Sequence, residues 1–274
     1  MNTMIQGPIL LKINNISGMY YPCGMKTDTI LVYGIGAPNV PDNGNLPEAR
    51  PVLEAGCDLY VPDYIGFGRS SGVFTPKNCI NTFLILVDEF KKGVKGINHY
   101  ANKKVFLKYK RVLVAGRSIA GAYIPLLPKF NKEIKYLCII FGALDQSRQG
   151  EVKGEETNED FINSFLYDGY KYLYKGFNSK TWWKHLNDLD KLSPMDNIKC
   201  LKNAKIFIAH GIKDKCINFS KSVNFYGKLM EYFPERKDQY KLKLYPNGGH
   251  ERYTSVKAME DYLNWIGSQQ KLDR

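Results

Sequence analysis

The stretch that decides the fold is RVLVAGRSIAGAYIPLL, residues 111–127. It begins with the short apolar run typical of a buried β-strand and continues as an apolar helix. Between the two elements stand only Gly116-Arg117-Ser118-Ile119-Ala120-Gly121, with no loop of ordinary length. A serine therefore lies at an abrupt corner between a strand and a helix.

In the sharp turn known as the nucleophile elbow, a strained serine projects its hydroxyl from the edge of the sheet. The residues two before and two after the serine must be small, because strand and helix nearly touch there. Gly116 and Ala120 meet this demand, although Ala120 replaces the second glycine of the G-x-S-x-G pattern. The alternative is that Ser118 is only the N-cap of the helix.

A serine nucleophile needs a histidine base, and the chain has four histidines. His99 lies in a lysine-rich segment, His185 follows two tryptophans, and His210 ends a predicted strand. His250 follows Asn-Gly-Gly just after the last predicted strand, at the sheet edge where Ser118 is also expected. We therefore predict that His250 is the base, the alternative being a histidine in a surface turn.

Two aspartates follow the carboxyl ends of predicted strands and could orient the histidine. Asp214 ends the segment HGIKD, and Asp145 follows YLCIIFGA. The short loop before Asp214 suits a buried acceptor for the second ring nitrogen of the base, so Asp214 is favoured. Loop capping is the alternative for either carboxylate.

Acyl transfer also needs backbone N–H donors for the developing oxyanion. Ile119 supplies one of them, because it follows the serine. The segment VYGIGAPN, after the strand at 29–34, is expected to supply the other from Ile35, unless it is an ordinary glycine turn.

The remaining patterns predict an α/β protein with a mainly parallel, doubly wound sheet. Short apolar runs alternate with helical patterns, which is typical of parallel strands covered on both faces. The predicted strands are 9–15, 29–34, 58–64, 111–116, 136–142, 205–211 and 240–246, and the predicted helices are 47–55, 79–95, 119–130, 219–232 and 254–266.

The alternation breaks once, at residues 147–196, which is too long for a crossover loop. We interpret this segment as an inserted helical cap, and residues 1–146 and 197–274 as the core. Leaving the sheet at its carboxyl edge, the insertion is expected to form a lid over Ser118. The aromatic side chains expected to line an apolar substrate pocket are Phe161, Phe165, Trp182 and Trp183. The alternative is that they only anchor the insertion.

Composition excludes several other classes of protein. The net charge is +12, but the lysines are dispersed and accompany no nucleic-acid module, so no specific nucleic-acid partner is expected. No apolar run is long enough to span a membrane, no signal peptide is evident, and six scattered cysteines lack a C-x-x-C pair, so a cytoplasmic location is expected. No cofactor motif or metal-ligand spacing is present.

The order Ser118, Asp214, His250 resembles that of the α/β-hydrolase superfamily. VYGIG resembles its oxyanion loop, VPDYIGFGRSSG its D-x-x-G-x-G-x-S turn, AGRSIAG its elbow, and HGIKD and NGGHE its acid and histidine loops. The resemblance covers residues 29–266 except the insertion. It implies the α/β-hydrolase fold, with the helical cap after the sixth strand of that fold. Tyr33 departs from the pattern, since many relatives have histidine there.

Members with this turn and elbow include monoacylglycerol-lipase-like and acyl-protein-thioesterase-like enzymes and serine-aminopeptidase-type enzymes. The resemblance therefore implies a serine hydrolase of small-molecule carboxylic esters, or of thioesters, acting through an acyl-enzyme on Ser118. Because the same fold hosts many chemistries, a non-catalytic binding protein, an acyltransferase and a peptidase remain alternatives.

Overall fold

The computed structural model describes residues 7–36, 40–169 and 171–272. Its strands form one ten-stranded sheet in the order β10-β9-β8-β7-β3-β4-β2-β1-β5-β6. The strands are β1 (Ile9–Ile13), β2 (Ile16–Tyr21), β3 (Thr29–Gly34), β4 (Asp58–Pro62), β5 (Val94–Asn98), β6 (Lys104–Leu107), β7 (Arg111–Arg117), β8 (Tyr136–Ile140), β9 (Lys205–Gly211) and β10 (Tyr240–Tyr245). The helices are α1 (Ala49–Glu54), α2 (Pro76–Lys92), α3 (Ile119–Tyr123), α4 (Leu127–Phe130), α5 (Asn158–Asp160), α6 (Ser179–Leu186), α7 (Ser220–Tyr232) and α8 (Arg252–Leu272).

Six neighbouring strands, from β10 to β4, are parallel, and the other four pair antiparallel. Side chains of β3 alternate between two apolar layers: Ile30 and Val32 face one, and Leu31 and Tyr33 face the other. Helices α1 and α8 pack on the second layer, while α2, α3 and α7 pack on the first. This confirms the predicted doubly wound α/β architecture.

The strand order reverses between β3 and β7, which lie side by side. From β3 the chain continues to β4 on one side, and from β7 it continues to β8 on the other. The loops that follow β3 and β7 therefore diverge and leave a crevice at the carboxyl edge of the sheet, the usual ligand position in open α/β sheets. Ser118 emerges at this crevice.

Three strands were not expected from the sequence. Strand β2 follows β1 after a tight turn in which Asn14 has φ 54°. The run predicted as one strand at 9–15 is therefore the first strand of a β-hairpin. The β5–β6 hairpin lies at one edge of the sheet. Its lysines are typical of an exposed edge strand, and such a strand lacks the continuous apolar run from which the other strands were predicted.

The segment expected to form the cap follows β8 and contributes no strand to the sheet. It contains α5, a π-helical stretch (Phe161–Gly169), α6 and short 3-10 turns. Its second half is tied to the loop after β4 by backbone hydrogen bonds, from Gly68 to Leu173 (3.0 Å) and from Phe74 to Lys175 (2.8 Å).

No helix within the described ranges combines the length and the apolar character needed to cross a bilayer.

Close packing behind the elbow gives a test of the fold. A Cβ added at Gly121, in α3, would come within 2.6 Å of the Gly142 Cα, whereas one added at Gly227, in α7, would meet nothing within 4 Å. We expect Gly121→Ala to lower the free energy of unfolding by about 1–3 kcal/mol. Gly227→Ala should raise it by about 0.5–1 kcal/mol, because alanine is the better helix former. Urea unfolding measures both, and equal stability of the two variants would contradict this packing.

Candidate active site

Ser118 has the strained backbone expected of an elbow, with φ 55° and ψ −129°. Its N–H donates to the Ile140 carbonyl (3.0 Å), and its own carbonyl accepts from Ala143 (3.2 Å), so both sides of the corner are fixed to the loop after β8. No side-chain capping bond of Ser118 to the helix is present. The hydroxyl is therefore not used as an N-cap.

Small residues make the corner possible. A Cβ on Gly116 would come within 2.9 Å of the Ala120 carbonyl carbon. Ala120 is tolerated in place of the usual glycine because its methyl group faces Gly34, where an added Cβ would lie only 3.0 Å away. The altered elbow motif thus depends on a glycine in the neighbouring strand.

Asp214 and His250 are joined by a short hydrogen bond, with 2.7 Å between Asp214 Oδ2 and His250 Nδ1. The other carboxylate oxygen of Asp214 accepts from the backbone N–H groups of Cys216 (2.9 Å) and Ile217 (3.0 Å). These hydrogen bonds hold the buried Asp214 carboxylate and the partly exposed His250 imidazole in a fixed orientation relative to each other.

The two loops that carry these residues pack directly on each other. A Cβ on Gly211 would collide with the Gly248 backbone, and the Lys213 N–H donates to the Gly248 carbonyl (2.8 Å). Because both loops leave adjacent parallel strands, β9 and β10, their contact sets the distance between Asp214 and His250.

His210 is a second histidine on the same carboxylate, and no pattern in the sequence indicates this role. Its Nε2 lies 3.3 Å from Asp214 Oδ2 and 3.0 Å from the Ile217 carbonyl, and its Nδ1 lies 2.7 Å from the Ser222 hydroxyl. Since both partners of Nε2 are acceptors, this nitrogen carries the proton. Burial opposes ionisation of Asp214, but hydrogen bonds from His210 and His250 outweigh it and hold the pKa of the carboxyl well below its usual value.

Asp145, the other candidate acid, is placed differently. Its only ion-pair partner in the described chain is Arg148, at 3.8 Å, and no hydrogen bond joins it to His250. Burial raises the pKa of Asp145. Of the two aspartates, the geometry joins Asp214 to the histidine.

Ser118 and His250 line one cavity of about 450 Å³, although no hydrogen bond joins the serine hydroxyl to the imidazole among the described residues. Ile119 also lines this cavity. On the β3 side the lining residue is Gly36, and a Cβ there would come within 2.6 Å of the Ser118 Cβ. Ile35 lies one residue earlier, buried, with its carbonyl accepting from the Tyr64 hydroxyl (2.7 Å). Residues 37–39 of the expected oxyanion loop lie outside the described residues.

Comparison with known proteins agrees with this geometry. The sequence model of the prolyl oligopeptidase family matches residues 160–272, which include Asp214 and His250. No curated protein sequence matches the chain. Among solved structures, an esterase from Pyrococcus furiosus is similar with a TM-score of 0.65 and 14% identity over 95% of this chain and 89% of that one.

Est1E from Butyrivibrio proteoclasticus is similar with a TM-score of 0.61 and 18% identity, over 96% of this chain and 100% of that one. An acylaminoacyl peptidase from Pyrococcus horikoshii has a TM-score of 0.62 and 15% identity over 96% of this chain, but only 41% of its own. The chain has the α/β-hydrolase fold.

In this α/β-hydrolase fold the segment 147–196 forms one side of the cavity. Six of its residues line the cavity: Gln149, Glu156, Asn158, Phe161, Phe165 and Leu186. Phe161 and Phe165 were predicted to line a substrate pocket, and both line this cavity.

The two tryptophans do not line this cavity, which corrects that part of the predicted pocket. Trp182 is fully buried, its ring stacks on Phe74 at 4.8 Å between centroids, and its Nε1 donates to the Phe74 carbonyl (3.3 Å). Trp183, the next residue of α6, is half exposed. An insertion of this size must bury apolar residues of its own to be ordered, and Trp182 serves that purpose.

Asp214, Cys216 and His250 offer three ligand-type atoms that lie within 4.8 Å of one another. Burial and the nearby carboxylates of Asp214 and Glu156 raise the pKa of the Cys216 thiol to about 11, so it is protonated at neutral pH. Asp214 and His250 are already bonded to each other. We therefore interpret this group as the hydrogen-bonded pair next to a buried thiol, and not as a set of metal ligands.

Burial and hydrogen bonding shift the two aspartates in opposite directions, which predicts opposite effects of pH on stability. The pKa of Asp214 is lowered on folding, so its contribution is present above about pH 4 and is lost as pH falls. The stability advantage of the wild type over Asp214→Asn should shrink below about pH 4. The pKa of Asp145 is raised, so the free energy of unfolding of the wild type should rise relative to that of Asp145→Asn as pH falls. Urea unfolding over a pH series tests this, and parallel curves for both pairs would contradict it.

Proposed function

We propose that this protein is a serine hydrolase that cleaves carboxylic esters, and also thioesters, through an acyl-enzyme on Ser118. The observation that carries the proposal is the 2.7 Å hydrogen bond between Asp214 and His250, beside a strained serine that lines the same cavity. A serine that only capped the helix would need neither a strained backbone nor the hydrogen-bonded Asp214 and His250 beside it.

In the proposed reaction, Asp214 accepts a hydrogen bond from the Nδ1–H of His250, which leaves Nε2 unprotonated and free to act as the base. His250 takes the Ser118 proton as the serine oxygen attacks the ester carbonyl, and then gives that proton to the departing alcohol. Water, deprotonated by the same imidazole, attacks the acyl-enzyme and releases the acid. The backbone N–H groups of Ile119 and Ile35 are the proposed oxyanion donors.

The surroundings of Asp214 favour the charges that this reaction requires. His250 is cationic in the tetrahedral intermediate, and a buried carboxylate that stays ionised stabilises that cation. The lowered pKa of Asp214 ensures its ionisation at every pH at which a histidine base works. His210, which donates to the same oxygen, acts through Asp214 and is a positioning residue.

A peptidase is the second candidate. It is supported by the match to the prolyl oligopeptidase family model and by the likeness to an acylaminoacyl peptidase. The same three residues serve both reactions, and only the leaving group differs, an amine in place of an alcohol. Hydrolysis of p-nitrophenyl esters and of the corresponding p-nitroanilides, measured side by side, distinguishes the two.

The roles of the three residues are tested by turnover of a short-chain p-nitrophenyl ester. We expect Ser118→Ala to lower turnover by about 10⁴-fold or more, and Asp214→Asn by about 10⁴-fold, because it favours the wrong tautomer of His250. Asp145→Asn is the matched control and should change turnover only slightly. Near-normal turnover in Ser118→Ala would contradict the role of Ser118 as the nucleophile, and a reversed ranking of the two aspartates would transfer the orienting role to Asp145.

The proposed lid role of the cap is tested by chain-length preference. Phe165 lines the cavity and Trp183 does not, although both are partly exposed aromatics of the same segment. We expect Phe165→Ala to change the ratio of kcat/KM between long-chain and short-chain esters, because it enlarges the acyl pocket. Trp183→Ala should leave the ratio unchanged. Equal ratios in both variants and the wild type would reject the lid role.

A further inference from the structure

Within the described part of the chain, three carboxamide side chains line the cavity, and two of them are hydrogen-bonded to other protein groups. The Gln149 amide donates to the carbonyls of Glu156 (2.8 Å) and Cys216 (2.7 Å), and its oxygen accepts from Lys221 Nζ (3.2 Å). The Asn158 amide donates to the carbonyls of Gln146 (2.8 Å) and Leu186 (2.9 Å). These two side chains join the cap to the core.

The third carboxamide, Gln146, is different. Gln146 is 1% exposed, and neither its Nε2 nor its Oε1 has a hydrogen-bond partner among the described residues. Buried polar groups are almost always paired, and a buried carboxamide with neither atom paired is unfavourable. Such a group is retained at the expense of stability where it has a function.

The position of Gln146 relates it to the proposed chemistry. It opens the short 3-10 turn Gln146–Arg148, directly after the loop that carries Asp145, and its backbone carbonyl is held by Asn158 and Gln149. It lines the same cavity as Ser118 and His250. The backbone is therefore fixed, while the carboxamide has no hydrogen-bond partner among the described residues.

Apolar side chains also line the cavity: Ile119, Phe141, Phe161, Phe165 and Leu186. A substrate that fills the cavity meets apolar surface over most of its length and a neutral group that both donates and accepts at Gln146. The complementary substrate group is neutral as well, because a carboxamide offers no charge to balance an ionic one.

We propose that Gln146 is a specificity-determining residue, which binds a second neutral polar group, an amide or a hydroxyl, that the substrate carries away from its scissile carbonyl. This inference rests on the proposed function and names the substrate class of the same site. Substrates that lack the polar group leave the carboxamide buried and unpaired, so they bind less well.

The test compares pairs of esters that differ only at the remote group. In acyl-side pairs, p-nitrophenyl esters of acyl chains of increasing length end in a primary carboxamide or in the isosteric isopropyl group. In alcohol-side pairs, the same acyl group is esterified to 4-hydroxybenzamide or to 4-isopropylphenol. The quantity measured is the ratio of kcat/KM within a pair, for the wild type and for Gln146→Met. Comparing this ratio between proteins cancels the intrinsic reactivity of the esters.

We expect Gln146→Met to lower the carboxamide-to-isopropyl ratio by about 10- to 100-fold in at least one set of pairs. Its Tm should equal or exceed that of the wild type, because the substitution removes an unpaired buried amide. Gln149→Met is the matched control, since it removes a carboxamide that lines the same cavity but is fully bonded. It should lower Tm without a selective loss of the carboxamide substrates.

Unchanged ratios in both sets of pairs, or a loss of Tm in Gln146→Met as large as that in Gln149→Met, would overturn the inference. The first result would show that no substrate group contacts Gln146, and the second that its role is structural. A wild type that hydrolyses the esters but gives these results rejects this inference alone. A wild type that hydrolyses no ester of any pair rejects the proposed function and the inference with it.

Discussion

The backbone of Ser118, held at φ 55° and ψ −129°, is the constraint on which the rest of the site depends. A non-glycine residue in such a conformation costs about 1–3 kcal/mol and persists only where its surroundings fix it. Here they do so on three sides: strand β7 before it, helix α3 after it, and the loop after β8, which bonds both its N–H and its carbonyl. The glycines at positions 34, 116 and 121 allow the strand and the helix to approach closely enough for this.

Once the serine is fixed at the carboxyl edge of the sheet, its partners need only reach the same edge. The parallel strands place them there, because β9 and β10 end at this edge and the loops that follow carry Asp214 and His250. The close approach of Gly211 to Gly248 keeps these loops together, and the buried His210 contacts the same Asp214 oxygen as His250 does. The site is thus assembled from three short loops on a rigid sheet, the arrangement on which a preorganised site depends.

The parts that could be predicted from the sequence are those set by local patterns. The elbow, the loop before Asp214 and the turn before His250 each consist of adjacent residues at a strand end, so their order along the chain also gives their place in space. The lysine-rich strands β5 and β6 escaped prediction because short edge strands lack a continuous apolar run.

The arrangement of side chains within residues 147–196 could not be predicted from the sequence. Trp182 and Phe165 are both aromatic residues of one insertion, and nothing in their spacing indicates that the first stacks on Phe74 while the second lines the cavity. The bonded Gln149 and the unbonded Gln146 are likewise indistinguishable in sequence. These differences arise from tertiary contacts between segments far apart in the chain.

The central claim is that Ser118 is an activated nucleophile. The most direct measurement is reaction of the wild-type protein with a fluorophosphonate, followed by mass spectrometry of its proteolytic peptides. We expect one phosphonylated residue per chain, on Ser118. Labelling should be lost in His250→Ala, because the serine hydroxyl is a weak nucleophile without its base. Absence of labelling, or labelling at another serine, would contradict it.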